Sequence, residues 1–167
     1  MANTYSLISS VILTSTSATI DFTSIPSTYT DLNLVVSPRA NGSGSESNAN
    51  ITFNNTSSNR SMKALYGQAT TASSFNYGSN IYMWFNDNNS TANTFSNISI
   101  YVPNYAGSNY KSVSIYGVNE NNTMSQNTLF LNAGLWSDTA AINRITLTCS
   151  DNFRQYSTAY LYGISNA

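Results

Sequence analysis

The chain of 167 residues has no histidine, one cysteine and three prolines, and only 8% of it is charged. Each shortage excludes something. Without histidine there is no Ser-His-Asp or Cys-His catalytic arrangement. Ordinary zinc sites draw on several Cys and His side chains and are excluded with it. A lone cysteine, Cys149, cannot form an intrachain disulfide. A formal net charge of -1 gives no electrostatic reason to bind nucleic acid or an anionic membrane. No run approaches the roughly 18 apolar residues of a transmembrane helix. The opening Met1-Ala-Asn-Thr-Tyr-Ser-Leu-Ile lacks the basic and continuous apolar segments of a signal peptide. The expectation is a chain made in a cytoplasm, with any outside role reached by release from the cell.

What is present is neutral polarity. Asn, Ser and Thr make up 72 residues, and the apolar fraction of 41% still supports a folded core. Apolar residues alternate with polar ones at a period of two, while helical spacing is nearly absent. Ala18, Ile20 and Phe22 alternate with Thr19, Asp21 and Thr23. The same pattern predicts strands at 5–13, 32–36, 50–53, 62–66, 81–85, 95–102, 112–118, 128–133, 145–149 and 158–164. These segments favour Val, Ile, Thr, Tyr and Phe, which suit a pleated, half-buried surface. Turn formers lie between them: a long polar loop at 37–48, further loops at 54–60, 86–93 and 104–109, a flexible loop at 67–78, and a hairpin turn at 119–122. Residues 135–141 (LWSDTAA) suggest one short helical turn capped by Ser137 or Asp138. The reading is a single domain, residues 1–167, forming an antiparallel β-sandwich, with a jelly roll of eight to ten strands ahead of a barrel or an immunoglobulin-like sandwich.

Chemistry-bearing clusters are weak. The seven acids are scattered, so solvated or turn-capping carboxylates outrank a glycosidase dyad. Asn86-Asp-Asn-Asn-Ser90 offers oxygen ligands but lacks the glycine and closing glutamate of a calcium loop, and it reads as a turn. Cys149 alternates with Leu147 and Ile145 and reads as a buried thiol. No cofactor, metal or catalytic residue is expected. Recognition falls to the aromatic side chains, 13% of the chain. Tyr joins interfaces readily because its ring is apolar and its hydroxyl stays hydrated. The candidate partner contacts are Tyr77, Tyr82, Trp84, Tyr105, Tyr110 and Trp136.

Four segments carry a resemblance: 20–32 (IDFTSIPSTYTDL), 102–112 (VPNYAGSNYKS), 135–147 (LWSDTAAINRITL) and 157–164 (STAYLYGI). Together they resemble a group of small virion-associated proteins of tailed bacteriophages, several from aquatic hosts. The likeness runs from about Tyr5 to Ile164. It implies a place on the particle surface and offers no catalytic motif to transfer. The expectation is a non-enzymatic virion protein, first a capsid decoration or cement protein. It would form a homotrimer at local three-fold positions of the head and contact the major capsid protein. The alternative is a tail-associated adhesion or fibre-tip module binding host glycans, favoured by the Tyr-rich loops. A carbohydrate-active enzyme or a cellular lectin stands third.

Overall fold

A computed structural model describes residues 4–120 and 128–165. Twelve strands fill it: β1 (Tyr5–Ile12), β2 (Ser17–Phe22), β3 (Asp31–Ser37), β4 (Glu46–Phe53), β5 (Arg60–Gln68), β6 (Thr71–Tyr77), β7 (Tyr82–Asn86), β8 (Asn97–Val102), β9 (Lys111–Asn119), β10 (Thr128–Trp136), β11 (Ile145–Phe153) and β12 (Thr158–Ile164). They form two antiparallel sheets. The large one runs β1-β12-β3-β8-β9-β10-β5-β6 and the small one β2-β11-β4-β7. The quartet β1-β12-β3-β8 faces β2-β11-β4-β7, and β1→β2, β3→β4, β7→β8 and β11→β12 each cross between sheets. This is jelly-roll topology. Two insertions extend it. The hairpin β5–β6 leaves after β4, and β9–β10 leaves after β8. They meet in the nine-pair ladder between β10 and β5, from Thr128↔Gln68 to Trp136↔Arg60.

Alternation explains the core. Leu32, Leu34 and Val36 of β3, Ile98, Ile100 and Val102 of β8, and Val113 and Ile115 of β9 point inward. Ile20, Phe22, Ile51, Phe53, Phe85, Ile145 and Leu147 of the small sheet meet them. Cys149 is buried there too, and burial pushes its thiol pKa up. Gly163 of β12 leaves room for Tyr29, because a Cβ at that position would stand 2.3 Å from the ring.

The turns explain the asparagine content. Asn54, Asn55, Asn59, Asn93, Asn104 and Asn152 all adopt positive φ, which asparagine tolerates better than most residues. Asn54 also pins a distant segment: its Oδ1 accepts the N–H groups of Asn143 and Arg144 at 2.9 and 3.2 Å, and its Nδ2 donates to the Ala141 carbonyl at 2.8 Å.

Three of the six basic residues are structural. Arg39, Arg60 and Lys111 are almost wholly buried. The Arg39 guanidinium donates to the carbonyls of Thr91, Thr94, Asn88 and Ser90 at 2.7–3.3 Å and to the Thr94 hydroxyl at 3.1 Å. One cation thus organises the whole 88–94 loop. Asp87 completes it by accepting the N–H groups of Gly42, Gly44 and Asn88 at 2.7–3.0 Å. Lys111 donates to the Asn109 carbonyl at 2.6 Å and lies 5.8 Å from the Trp136 ring centre. Arg144 forms a two-point pair with Asp21. The exposed surface is therefore even less charged than the composition.

Several expectations are corrected. Residues 67–78 are not a flexible loop: they end β5 and form β6, whose Phe75 is half-buried against Trp84 of β7 and whose Tyr77 meets Tyr82 while staying 40% exposed. No helical turn forms at 135–141. Leu135 and Trp136 end β10, and the following residues continue without helix. The loop beginning at Ser37 is shorter than expected, because β4 already starts at Glu46. The hairpin expected at 119–122 falls largely outside the described residues.

Beyond β8 the large sheet wraps around the free edge of the small one. Tyr82 and Trp84 point outward from β7, yet the Trp84 ring centre lies 5.6 Å from that of Phe130 on the inner side of β10. The wrapping also serves the unpaired backbone of β7. Met62 Sδ accepts the Tyr82 N–H at 3.3 Å, Asn132 donates to the Tyr82 carbonyl at 2.9 Å, and the Ser96 hydroxyl accepts the Asn86 N–H at 2.9 Å.

Candidate functional site

The two sides of the wrapped extension carry two distinct surfaces. On its outer side, cross-strand register gathers apolar side chains that no other described residue covers. Leu131 stands opposite Leu65 on one side and Tyr116 on the other. Leu129 stands opposite Val118. Leu135 continues the row beyond Ala133. These six large side chains are 37–62% exposed. Paired residues share a face of a sheet, so the six form one surface. Lys63 shares the face, opposite Ala133, and none of the direct cross-strand partners of the six is charged. The far end of the same face carries Tyr5, Leu7 and Ile12 of β1, also exposed.

On the inner side, six rings form a continuous chain. Phe75 is the hub, with its centroid 5.4 Å from Tyr66, 5.2 Å from Tyr77 and 5.2 Å from Trp84, all edge to face. Tyr77 meets Tyr82 at 5.1 Å, and Trp84 meets Phe130. Edge-to-face contact suits the negative face and positive rim of aromatic rings. Tyr66, Phe75, Tyr77 and Trp84 line a half-open cleft of about 330 Å³, and Glu46, Gln68 and Thr128 close its polar end. Gly117 gives Phe130, the end of the chain of rings, its space: a Cβ there would lie 2.4 Å from the Phe130 ring.

The polar end is held by its own bonds. Glu46 Oε1 accepts from Asn119 at 3.0 Å, and Oε2 accepts from Gln68 at 3.4 Å. Gln68 Nε2 also reaches the Thr128 hydroxyl at 3.3 Å. Burial pushes the Glu46 carboxyl above the usual carboxylate range, opposed by hydrogen bonds from Asn119 and Thr128. No salt bridge reaches Glu46 among the described residues, where Asp21–Arg144 is the ion pair formed.

The six expected contact residues separate under this geometry. Tyr77, Tyr82 and Trp84 come together in the ring cluster. Tyr110 is exposed, next to the start of β9 on a different turn. Tyr105 and Trp136 are corrected to core residues, because both are fully buried and present no surface. Tyr105 donates its hydroxyl to the Pro26 carbonyl, and burial raises its pKa. Trp136 packs on Phe53 with ring centres 5.5 Å apart. The sequence reading missed Tyr66, Phe75, Glu46, Gln68 and Thr128. Phe75 and Tyr77, two apart, carried a strand signal that the small residues around them obscured. It also missed the apolar face, although Leu129, Leu131 and Leu135 lie in strict alternation.

No protein-family model matches the chain, and no curated protein is significantly similar to it. Among solved structures, the Caenorhabditis elegans galectin LEC-6 aligns with a TM-score of 0.34 and 7% identity, over 94% of this chain and 96% of that one.

Proposed function

We propose that this chain is a non-enzymatic structural protein that assembles through the outer face of β5, β9 and β10, and that its setting is the surface of a phage particle. The observation that carries the reading is the apolar row of Leu65, Tyr116, Val118, Leu129, Leu131 and Leu135. At about half exposure each, six such side chains offer on the order of 600 Å² of apolar surface, at or above the largest patch of a typical monomer. That approaches the ~800 Å² per partner of a standard stable interface.

The occupant is a second copy of the chain, in a closed trimer. Identical copies meet without like-charge repulsion here, because the face is almost uncharged. A patch on one side of a sheet, packed around a three-fold axis, touches both neighbours and closes the ring. Within the setting that the resemblance implies, such a trimer suits the local three-fold positions of a capsid, as a decoration protein in contact with the major capsid protein.

Light scattering coupled to size exclusion tests this on the full chain. The expected result is a trimer at micromolar concentration that falls to monomer in Leu129→Ser/Leu131→Ser, with an unchanged strand signal in circular dichroism showing that the monomer is folded and a melting temperature lowered by the lost assembly. A monomeric native chain, or a double variant that still assembles, would overturn the reading. The protein's copy number in purified particles tests the address: hundreds per particle fit a head protein, and a handful fit the tail.

A further inference from the structure

We infer that the cleft between β6 and β7 is a binding site for a neutral pyranose ring, with Trp84, Phe75 and Tyr77 as its platform and Glu46, Gln68 and Thr128 as its polar rim. This inference is independent of the assembly reading, because the cleft lies on the opposite side of the β5–β6 hairpin from the apolar row.

The chemistry of the lining selects the ligand. A pyranose presents C–H groups on its faces and hydroxyls around its edge. The C–H groups carry slight positive charge and are attracted to the negative faces of aromatic rings. The hydroxyls both donate and accept, so they need neighbours of both kinds. Glu46 supplies acceptors, with roughly four lone-pair positions of which Asn119, Gln68 and Thr128 engage three. The Gln68 amide offers its carbonyl oxygen as a further acceptor, because both Nε2 hydrogens are directed at Glu46 and Thr128, and Thr128 supplies a hydroxyl. The rim groups brace one another, so little rotamer freedom remains to be lost on binding.

Size and ring spacing narrow the choice. A volume of about 330 Å³ is at the lower end of ligand sites and suits one ring of a glycan rather than a long chain. The rings touch, with centroids 5.1–5.6 Å apart along the chain from Tyr66 to Phe130. Neighbouring rings pack edge to face on one another, with Phe75 between Tyr66, Tyr77 and Trp84. A cage for an organic ammonium needs rings standing apart around a void, so this packed cluster favours an amphipathic ligand resting on its cleft-facing side over a caged cation. The rim also holds no basic side chain, so nothing in it selects an acidic sugar.

The probes are the methyl glycosides of glucose, galactose, mannose and N-acetylglucosamine, with tetramethylammonium as the cation control. Saturation-transfer NMR on the full chain reports binding, and tryptophan fluorescence reports the site through Trp84. At least one glycoside is expected to bind in the ~1 mM range, usual for a single sugar ring on an open site. Glu46→Gln is expected to weaken it roughly tenfold, about one charge-assisted hydrogen bond. Trp84→Ala is expected to abolish binding. Because Trp84 also packs on Phe130, the more exposed Tyr77→Ala serves as a second variant, with a melting curve to show that it folds. The inference is overturned if no glycoside binds up to about 50 mM. Binding by tetramethylammonium alone would overturn it too, as would binding that persists in both Tyr77→Ala and Glu46→Gln. A monomer that binds sugar would remove the assembly reading and leave this one standing, and a trimer that ignores sugar would do the reverse.

Discussion

Replacing Arg39 by methionine keeps most of the volume of the side chain and removes its guanidinium. In the native chain that group makes five hydrogen bonds to the 88–94 loop, four of them to backbone carbonyls. Burial lowers the Arg39 pKa, and neighbouring Arg154 adds to the shift, yet the group stays charged because its ordinary value is so high. Truncating a buried, hydrogen-bonded charge usually costs about 3–5 kcal/mol, since its partners are stranded. Part of that is relieved here because the loop is at the surface and water can reach some of the carbonyls. The expected loss is about 3 kcal/mol, a large share of the ~5–15 kcal/mol that holds a domain of this kind. At ~2–4 °C per kcal/mol for this chain length, the melting temperature should fall by about 10 °C. Calorimetry reads the fall, and hydrogen exchange should show lost protection at Asp87–Thr94 while β3 and β8 keep theirs. Arg39→Lys should recover less than half, because an ammonium cannot span four carbonyls. A drop under about 2 °C in Arg39→Met, or unchanged protection in the loop, would refute the argument that one cation organises this segment.

Two further outcomes follow from single contacts. Gly163→Ala should destabilise by about 2 kcal/mol, because the added methyl meets the Tyr29 ring within its van der Waals radius and overpacking of this kind typically costs 1–3 kcal/mol; Gly78→Ala, with open space around it, is the control in the same denaturant titration. The Tyr101 hydroxyl donates to Asp31 at 2.7 Å, which pushes its pKa up to about 12 from 10.0. The folded state therefore holds that proton after the unfolded chain has lost it. This contribution is fully present below pH 10 and is lost as the pH climbs towards about 12. Phenolate absorbance should show late-titrating tyrosines, Tyr101 beside the buried Tyr105, and Tyr101→Phe should remove one of them and flatten the stability profile over that interval; a profile identical to the native one would remove Asp31 as the cause.

Much of the frame was legible because alternation reports directly on a sheet with one buried face. β12 falls where the pattern places it, at 158–164, since Ala159, Leu161 and Gly163 turn inward in unbroken register. β6 was obscured because Thr71, Ala72, Ser73 and Ser74 are small or polar, and it is the ladder with β5, from Met62↔Tyr77 to Gln68↔Thr71, that makes a strand of them. Arg39 was hidden inside an apparently solvated loop: nothing local tells a buried arginine from an exposed one when its partners are carbonyls some fifty residues away. The ring cluster was half visible. Tyr77, Tyr82 and Trp84 are close in sequence, but Tyr66 joins them through Phe75 across the unrecognised β5–β6 hairpin, and Phe130 through the β5–β10 ladder. Tyr105 and Trp136 were misplaced because an aromatic beside a turn can cap a core as readily as it can face a partner. The outer leucines went unassigned because alternation gives the two faces of a strand but does not say which one is covered.

The wrapping of β5, β6 and β10 around β7 has a consequence for keeping the protein apart from its neighbours. An exposed strand edge is a template on which another chain can add, and proteins usually blunt such edges with charged side chains. This chain has almost no charge to spend. On β7 a thioether, an amide and a hydroxyl occupy the edge positions where an incoming strand would bond. Connectivity thus takes over a task that lysine performs elsewhere, and a nearly neutral protein gains protection from edge-to-edge aggregation on that side without relying on electrostatic repulsion.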